Sequence, residues 1–374
     1  MTQQISLDTQ IIRLDRLLSY LQDDPENASL RTDIFDVALQ AGRPELAEAQ
    51  LSFARDAGFD NDSWTMREAN LRIAQQRYDD AEHTLNSLQL KMGPHPAIAQ
   101  NLGLIASLQN NYNDCLAAIK DWVDVSPTTP IEPGLQSMWL RCLHHLHQLD
   151  VALNWAEQRL DCKTLHSEAL GVTSLIAIDA SLLNKARIWS ELSLRDNPVL
   201  TEALLARATV ALSDRDAPLA KKHVQLILER HPGSGRAWSA LGFAQMLELD
   251  INAARSSLEK ATQLMPEHIG TWHGLGWTCL LAKDYAAAQR AFEAALERDR
   301  NFGETYGGLA VIAAMQGLRE VAEDHLRRAI GLDNKGMSAQ YARALLDGIL
   351  SDDKSILRFA RQLMSGRIAP NETQ

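Results

Sequence analysis

The chain has 374 residues, of which 45% are hydrophobic and 23% charged, with 20 glycines and 12 prolines. These proportions suit a folded chain with a continuous core and exclude collagen-like, low-complexity and disordered classes. The formal net charge is −11, yet residues 1–200 carry 16 Lys and Arg against 27 Asp and Glu, while residues 201–374 carry 21 of each; one half repels a polyanion and the other offers no strong basic stripe, so nucleic acid is not an expected partner.

No run approaches the roughly 18 apolar residues that a bilayer span needs. Asp8, Arg13, Asp15 and Arg16 interrupt the N-terminal apolar residues, which does not suit a secretory signal, so the expected location is cytoplasmic without membrane insertion. Cys115, Cys142, Cys162 and Cys279 form no C-x-x-C pair and are expected as reduced thiols acting as small core hydrophobes.

Ile5 to Gln22 reads as a helix, with Leu7, Ile11, Leu14, Leu18 and Leu21 on one face. Asp23-Asp24-Pro25 ends it, because a residue before proline is pushed out of the helical region. Residues 1–27 are therefore expected to cap a stack of helical hairpins. Those hairpins fill residues 28–129 as repeats 1–3. Ala47 lies 34 residues before Ala81, and Tyr78 lies 34 before Tyr112. The step from Pro96 to Pro133 is 37, which predicts a loop insertion at 130–132 in a turn-forming stretch.

Repeats 4–9 are expected over 133–336. Ala152, Ala186, Ala220, Ala254, Ala288 and Ala322 recur at a step of 34, as do Pro198, Pro232 and Pro266. Alanine at a helix crossing lets two backbones approach and costs nothing in helix propensity. Residues 337–366 read as a degenerate capping hairpin, with Tyr341, Leu345, Leu346, Ile356, Phe359 and Leu363 apolar and Lys354, Arg358 and Arg361 on the other side. Residues 367–374 are a tail.

The clearest copies are Trp238, Leu241, Gly242, Ala254, Leu258, Ala261 and Pro266, then Trp272, Leu275, Gly276, Tyr285, Ala288, Phe292 and Ala295. This W-x-x-L-G pattern, an alanine followed four residues later by Leu or Phe, and a closing proline resembles the tetratricopeptide repeat. The large aromatic expected one turn after the glycine is replaced by Gln245, Cys279 and Ala313. The resemblance implies an all-α fold, a right-handed α-solenoid whose first helices line a concave groove for peptides or proteins. The lysine, asparagine and arginine clamp that some members use on a C-terminal carboxylate is not visible here.

The expected groove residues are Ser239, Phe243 and Met246, then His273, Trp277 and Leu280, then Gly307 and Val311. The alternative for these aromatics is packing between neighbouring first helices. Gly303, Gly307 and Gly308 either admit a ligand backbone or relieve crowding. Arg141 and His144 form a secondary polar site. Cys142, His144, His145 and His147 crowd one helix without a further ligand at metal spacing, so no metal is expected. No catalytic residues and no cofactor are expected. The leading reading is a non-catalytic scaffold or adaptor for another protein, with self-association left open. The runner-up is a chaperone or assembly subunit of a secretion, pilus or polysaccharide machine; an accessory enzyme or metal protein ranks third.

Overall fold

Among the described residues, nine turns that close first helices of hairpins share one backbone device. Gly42, Gln76, Asn110, His147, Ser181, Arg215, Leu249, Lys283 and Gly317 all take a left-handed conformation, with φ from +56° to +75°. In each turn the next residue's N–H donates to the carbonyl five residues earlier, as Asp250 does to Gln245 at 2.9 Å and Asp284 to Cys279 at 2.9 Å. This satisfies an orphan carbonyl at the helix end. Only Gly42 and Gly317 hold that conformation without a side-chain penalty. Leu249, at φ +65° and 40% exposed, is the clearest misfit. Leu249→Gly is expected to raise stability by about 0.5–1 kcal/mol in urea unfolding, the relief of strain exceeding the entropy lost to glycine; a loss would show that the leucine side chain contributes packing there.

A computed structural model describes residues 2–59 and 61–348, with side chains described from residue 10. Among these residues all regular structure is helical. The chain divides between Leu182 and Leu183 into two compact units, not at the slip in period. Unit 1 holds α1 (Thr2–Asp23), then the pairs α2 (Ala28–Gln40) and α3 (Pro44–Asp56), α4 (Asp62–Ala74) and α5 (Tyr78–Met92), α6 (Pro96–Leu108) and α7 (Tyr112–Val123), and α8 (Pro133–His145) and α9 (Leu149–Asp161), and ends with α10 (Ser167–Asp179). Unit 2 holds α11 (Leu183–Asp196), then α12 (Thr201–Ser213) and α13 (Ala217–Leu228), α14 (Gly235–Leu247) and α15 (Ile251–Leu264), α16 (Ile269–Leu281) and α17 (Tyr285–Arg298), α18 (Gly303–Met315) and α19 (Arg319–Leu332), and α20 (Met337–Leu346). Each unit is an α-solenoid in which a helix packs on its hairpin mate and on the next hairpin. The second helix of the capping hairpin expected over 337–366, with Lys354, Arg358 and Arg361, and the tail lie outside the described residues, as does the side chain of Leu7.

The alanine series is fully buried: Ala47, Ala81, Ala152, Ala186, Ala220, Ala254, Ala288 and Ala322 are all 0% exposed. Glycine does the same work on the facing helices. A Cβ at Gly276 would come within 2.8 Å of the Phe292 ring, and one at Gly308 within 2.7 Å. Phe292 thus fills the space between α16 and α18 because both helices are bare there. In unit 1, Leu14 buries against α2 with Ile11, Leu18 and Leu21 partly buried beside it.

The lengthened loop after α7 is tied down by α9. Arg159 stands in register with Ser193, Ile227, Ala261, Ala295 and Ala329, where the other repeats place short or apolar side chains. It is 1% exposed, donates to the carbonyls of Thr129, Val123 and Val125 at 3.0, 3.3 and 3.1 Å, and lies over the Trp155 ring. Thr164 Oγ1 donates to Pro127 O at 2.6 Å, and Gln136 Nε2 to Ile131 O at 2.9 Å. The extra residues are therefore fixed rather than loose, because their carbonyls have buried donors.

Candidate functional site

The first helices of unit 2 are the binding wall expected from the repeat pattern, and the structure turns most of that face inward. Met246, Trp277, Leu280 and Val311 are at most 1% exposed, Ser239 is 6% and His273 7%, and Gly307 is buried. Only Phe243 is half-buried. The cause is the closeness of successive first helices. Phe243 packs over Gly274, where an added Cβ would meet its ring at 2.7 Å. An added Cβ at Gly307 would meet the α20 backbone at Ala339 N, 2.8 Å away, and at Gly303 it would meet Ala329 O at 3.1 Å. The glycines therefore relieve crowding, not the approach of a ligand. Trp277 stands edge-on to Phe292 and Tyr341, with centroids 6.0 and 6.4 Å apart. These residues are core, which corrects the expectation that they line an open groove.

One turn beyond Phe243, Trp277 and Val311, and next in sequence to Met246 and Leu280, lies a set that the repeat pattern alone does not single out. Leu247, Leu281 and Met315 recur at a step of 34, each in the last turn of a first helix and each half-buried. Leu281 and Met315, together with Phe243, pack with one side against the core of unit 2. Their signal in the sequence is an apolar residue at a constant repeat position, one turn beyond the faces expected to bind.

His273 shows how deep the inner face lies. Its ring is edge-on to Phe292 and Phe302, with centroids 5.1 and 5.3 Å apart, and its Nε2 is buried without a hydrogen-bond partner. Burial pushes its pKa down to about 4, partly opposed by a backbone hydrogen bond with Glu304. The native state therefore binds fewer protons than the unfolded chain between about pH 4 and the ordinary histidine value near 6.5. Stability from this group is complete above about 6.5 and is lost as pH falls toward 4, by about 3 kcal/mol over the whole window. His273→Leu is expected to flatten that slope in thermal unfolding scans between pH 7 and 4. Some slope will remain, because burial also holds His223 and His325 below the usual range. An unchanged slope would remove His273 as its source.

The secondary site divides. Arg141 is exposed, whereas His144 is half-buried with its Nε2 2.6 Å from Asp179 Oδ2, joining α8 to α10. His145 stacks on Tyr112 with centroids 4.3 Å apart. His144 and His145 are thus engaged with a carboxylate and an aromatic ring, and His147 lies in the left-handed turn past the end of α8, not on the helix where it was expected. Among the described residues no group of three or more potential metal ligands occurs.

A hollow of about 160 Å³ opens where α15 and α17 flank α16. Its lining includes Leu275, Cys279, Ala287 and Ala291, with Arg255, Glu259 and Arg290 also bordering it. Cys279 stands where the repeat pattern calls for a large aromatic, so the smaller side chain leaves space. In the preceding hairpin Gln245 takes that position and accepts a hydrogen bond from Ser257 at 2.8 Å. Arg255 is spoken for by Glu259 at 2.9 Å and Asp284 at 3.0 Å, and both hydrogen bonds hold its pKa above the ordinary arginine value.

Residues 269–302, which contain α16 and α17, match the family model described as tetratricopeptide repeat. No curated protein matches the chain. Among solved structures, a monomeric mutant of IFIT1 with m7Gppp-AAAA is similar at 15% identity, with a TM-score of 0.56, covering 96% of this chain and 92% of that one. The human IFIT1 dimer with PPP-AAAA is similar at 16% identity, with a TM-score of 0.54, over 95% of this chain and 91% of that one. A tetratricopeptide repeat protein from Parabacteroides merdae is similar at 15% identity, with a TM-score of 0.45, over 76% of this chain and 98% of that one. At these identities the likeness to IFIT1 is one of fold.

Proposed function

Because the chain is a tetratricopeptide-repeat protein, we propose that it acts as a non-catalytic scaffold that holds a segment of another protein along the first helices of unit 2. The observation that supports this is the strip of Leu247, Leu281 and Met315, extended by Phe243. Each residue keeps part of an apolar side chain outside the core at a constant spacing along the stack. A row of equivalent apolar ledges suits a helix or an extended segment that places an apolar side chain on each. The IFIT1 structures carry m7Gppp-AAAA and PPP-AAAA, but the charge balance here, −11 over residues 1–200 and zero beyond, favours a protein over a polyanion.

The test is a double substitution, Leu281→Glu with Met315→Glu, in the full chain. Both side chains are half-buried on the strip, so charge there disrupts the ledge more than the core. Co-purification of the partner is expected to fall at least about tenfold while unfolding stays cooperative. Retained binding would count against the strip.

A further inference from the structure

The third hairpin breaks the alanine series in one place. Cys115 occupies the position that Ala47 and Ala81 hold in the two hairpins before it, and like them it is 0% exposed. Opposite it, on α8, Cys142 is 1% exposed. The two Sγ atoms lie 3.0 Å apart, and both cysteines are free thiols. Ala106 completes this small core, with Tyr112, Leu116 and Met138 partly buried against it. Cysteine in place of alanine adds one sulfur, and that sulfur points at the other thiol of this cluster.

The spacing distinguishes between the chemistries open to two thiols. A tetrahedral zinc, with bonds of about 2.3 Å, keeps its sulfurs about 3.8 Å apart and needs further ligands. No such ligand group accompanies this pair among the described residues. A disulfide needs about 2.05 Å between sulfurs, an approach of about 1 Å from where they stand.

We propose that Cys115 and Cys142 are a redox site, closing into a reversible disulfide that staples α7 to α8, with a hydroperoxide as the oxidant. Cys142 Sγ–H donates to Cys115 Sγ, which marks Cys115 as the sulfur that attacks. Its thiol gives up its proton, and the thiolate attacks one oxygen of hydrogen peroxide. The O–O bond breaks, and the departing hydroxide takes the proton as water, leaving a sulfenic acid on Cys115. Cys142 sulfur then attacks Cys115 sulfur, the S–O bond breaks, and hydroxide leaves with the Cys142 proton as a second water. Two thiols and one peroxide give one disulfide and two waters. The bond would span the lengthened loop of residues 124–132, where the repeat register slips, and so would lock the hairpins on either side of the slip. This site does not depend on the binding role of unit 2.

The experiment uses the full chain, reduced with dithiothreitol and then treated with hydrogen peroxide. Thiol titration in denaturant is expected to fall from four to two, with peptide mapping showing a 115–142 crosslink. The oxidised protein is expected to melt about 5–10 °C above the reduced one. Cys115→Ala should fold, because alanine is the residue at that position in the neighbouring hairpins. It should lose both the crosslink and the peroxide-dependent shift, whereas Cys162→Ser, at an exposed cysteine, should keep both. The proposal is overturned if Cys115 and Cys142 both stay alkylatable at the end of the peroxide treatment, or if either proceeds to sulfinic acid without the crosslink.

Discussion

Replacing Trp277 by alanine is expected to cost about 4 kcal/mol of stability in urea unfolding of the full chain. The indole is 1% exposed and wedged between Phe292 of the next helix in the chain and Tyr341 of α20. Its removal leaves a void that the neighbours cannot fill, because Phe292 is already held against Gly276 and Gly308, and α18 already meets α20 at Gly307. Phe243→Ala, at a half-buried ring, should cost about 1–2 kcal/mol. In a stacked array each loss falls mainly on the hairpins that share the interface. If Trp277→Ala unfolded within 1 kcal/mol of the parent, the indole would be lining a surface and not a core.

Arg159→Leu is expected to cost unit 1 about 3–5 kcal/mol, although leucine is the more hydrophobic residue. The loss comes from what the guanidinium leaves behind. The carbonyls of Val123, Val125 and Thr129 lose a buried donor, Val123 keeping only Trp155 Nε1 at 3.3 Å, and a buried carbonyl left without its donor costs about 1–3 kcal/mol. Burial lowers the pKa of Arg159, yet the fork stays charged because three acceptors and the Trp155 ring compensate it. Arg159→Lys should recover little, because an ammonium lacks the planar fork that reaches carbonyls on both sides. Faster proteolysis at residues 124–132 would accompany the change. Unchanged stability together with unchanged cleavage would show that the loop holds its shape unaided.

The hairpins are legible in the sequence because their signals are local and repeat. A buried alanine such as Ala254 must be small wherever two helices cross, and Trp238, Leu241 and Gly242 recur as Trp272, Leu275 and Gly276. The 37-residue step from Pro96 to Pro133 places the extra loop between α7 and α8, but not its anchor. Arg159 looks like a surface arginine on a helix until the loop is seen folded over it. The left-handed turns are equally hidden, since Gln76, Leu249 and Lys283 carry none of the glycine signal that marks Gly42 and Gly317.

The open face of the first helices is misplaced by sequence reasoning for a geometric cause. Helical periodicity shows which residues share a face, but not how far away the next helix lies. With Gly274 and Gly307 the first helices close up until Met246, Trp277, Leu280 and Val311 are inside. What stays partly outside is the last turn, at Leu247, Leu281 and Met315. The small residues are visible in the sequence; their effect on helix spacing is not. The hollow beside Cys279 obeys the same logic in reverse, since a missing aromatic at a known repeat position predicts unfilled space.

Whether a partner segment lies along that strip can be read directly by photo-crosslinking. A benzophenone amino acid at position 281, on the strip, is compared with one at position 289, where Gln289 is exposed on α17. A crosslinked partner from position 281 and none from 289 is the expected result. Crosslinking from 289 with none from 281 would place the partner on the second helices and contradict a binding strip on the first.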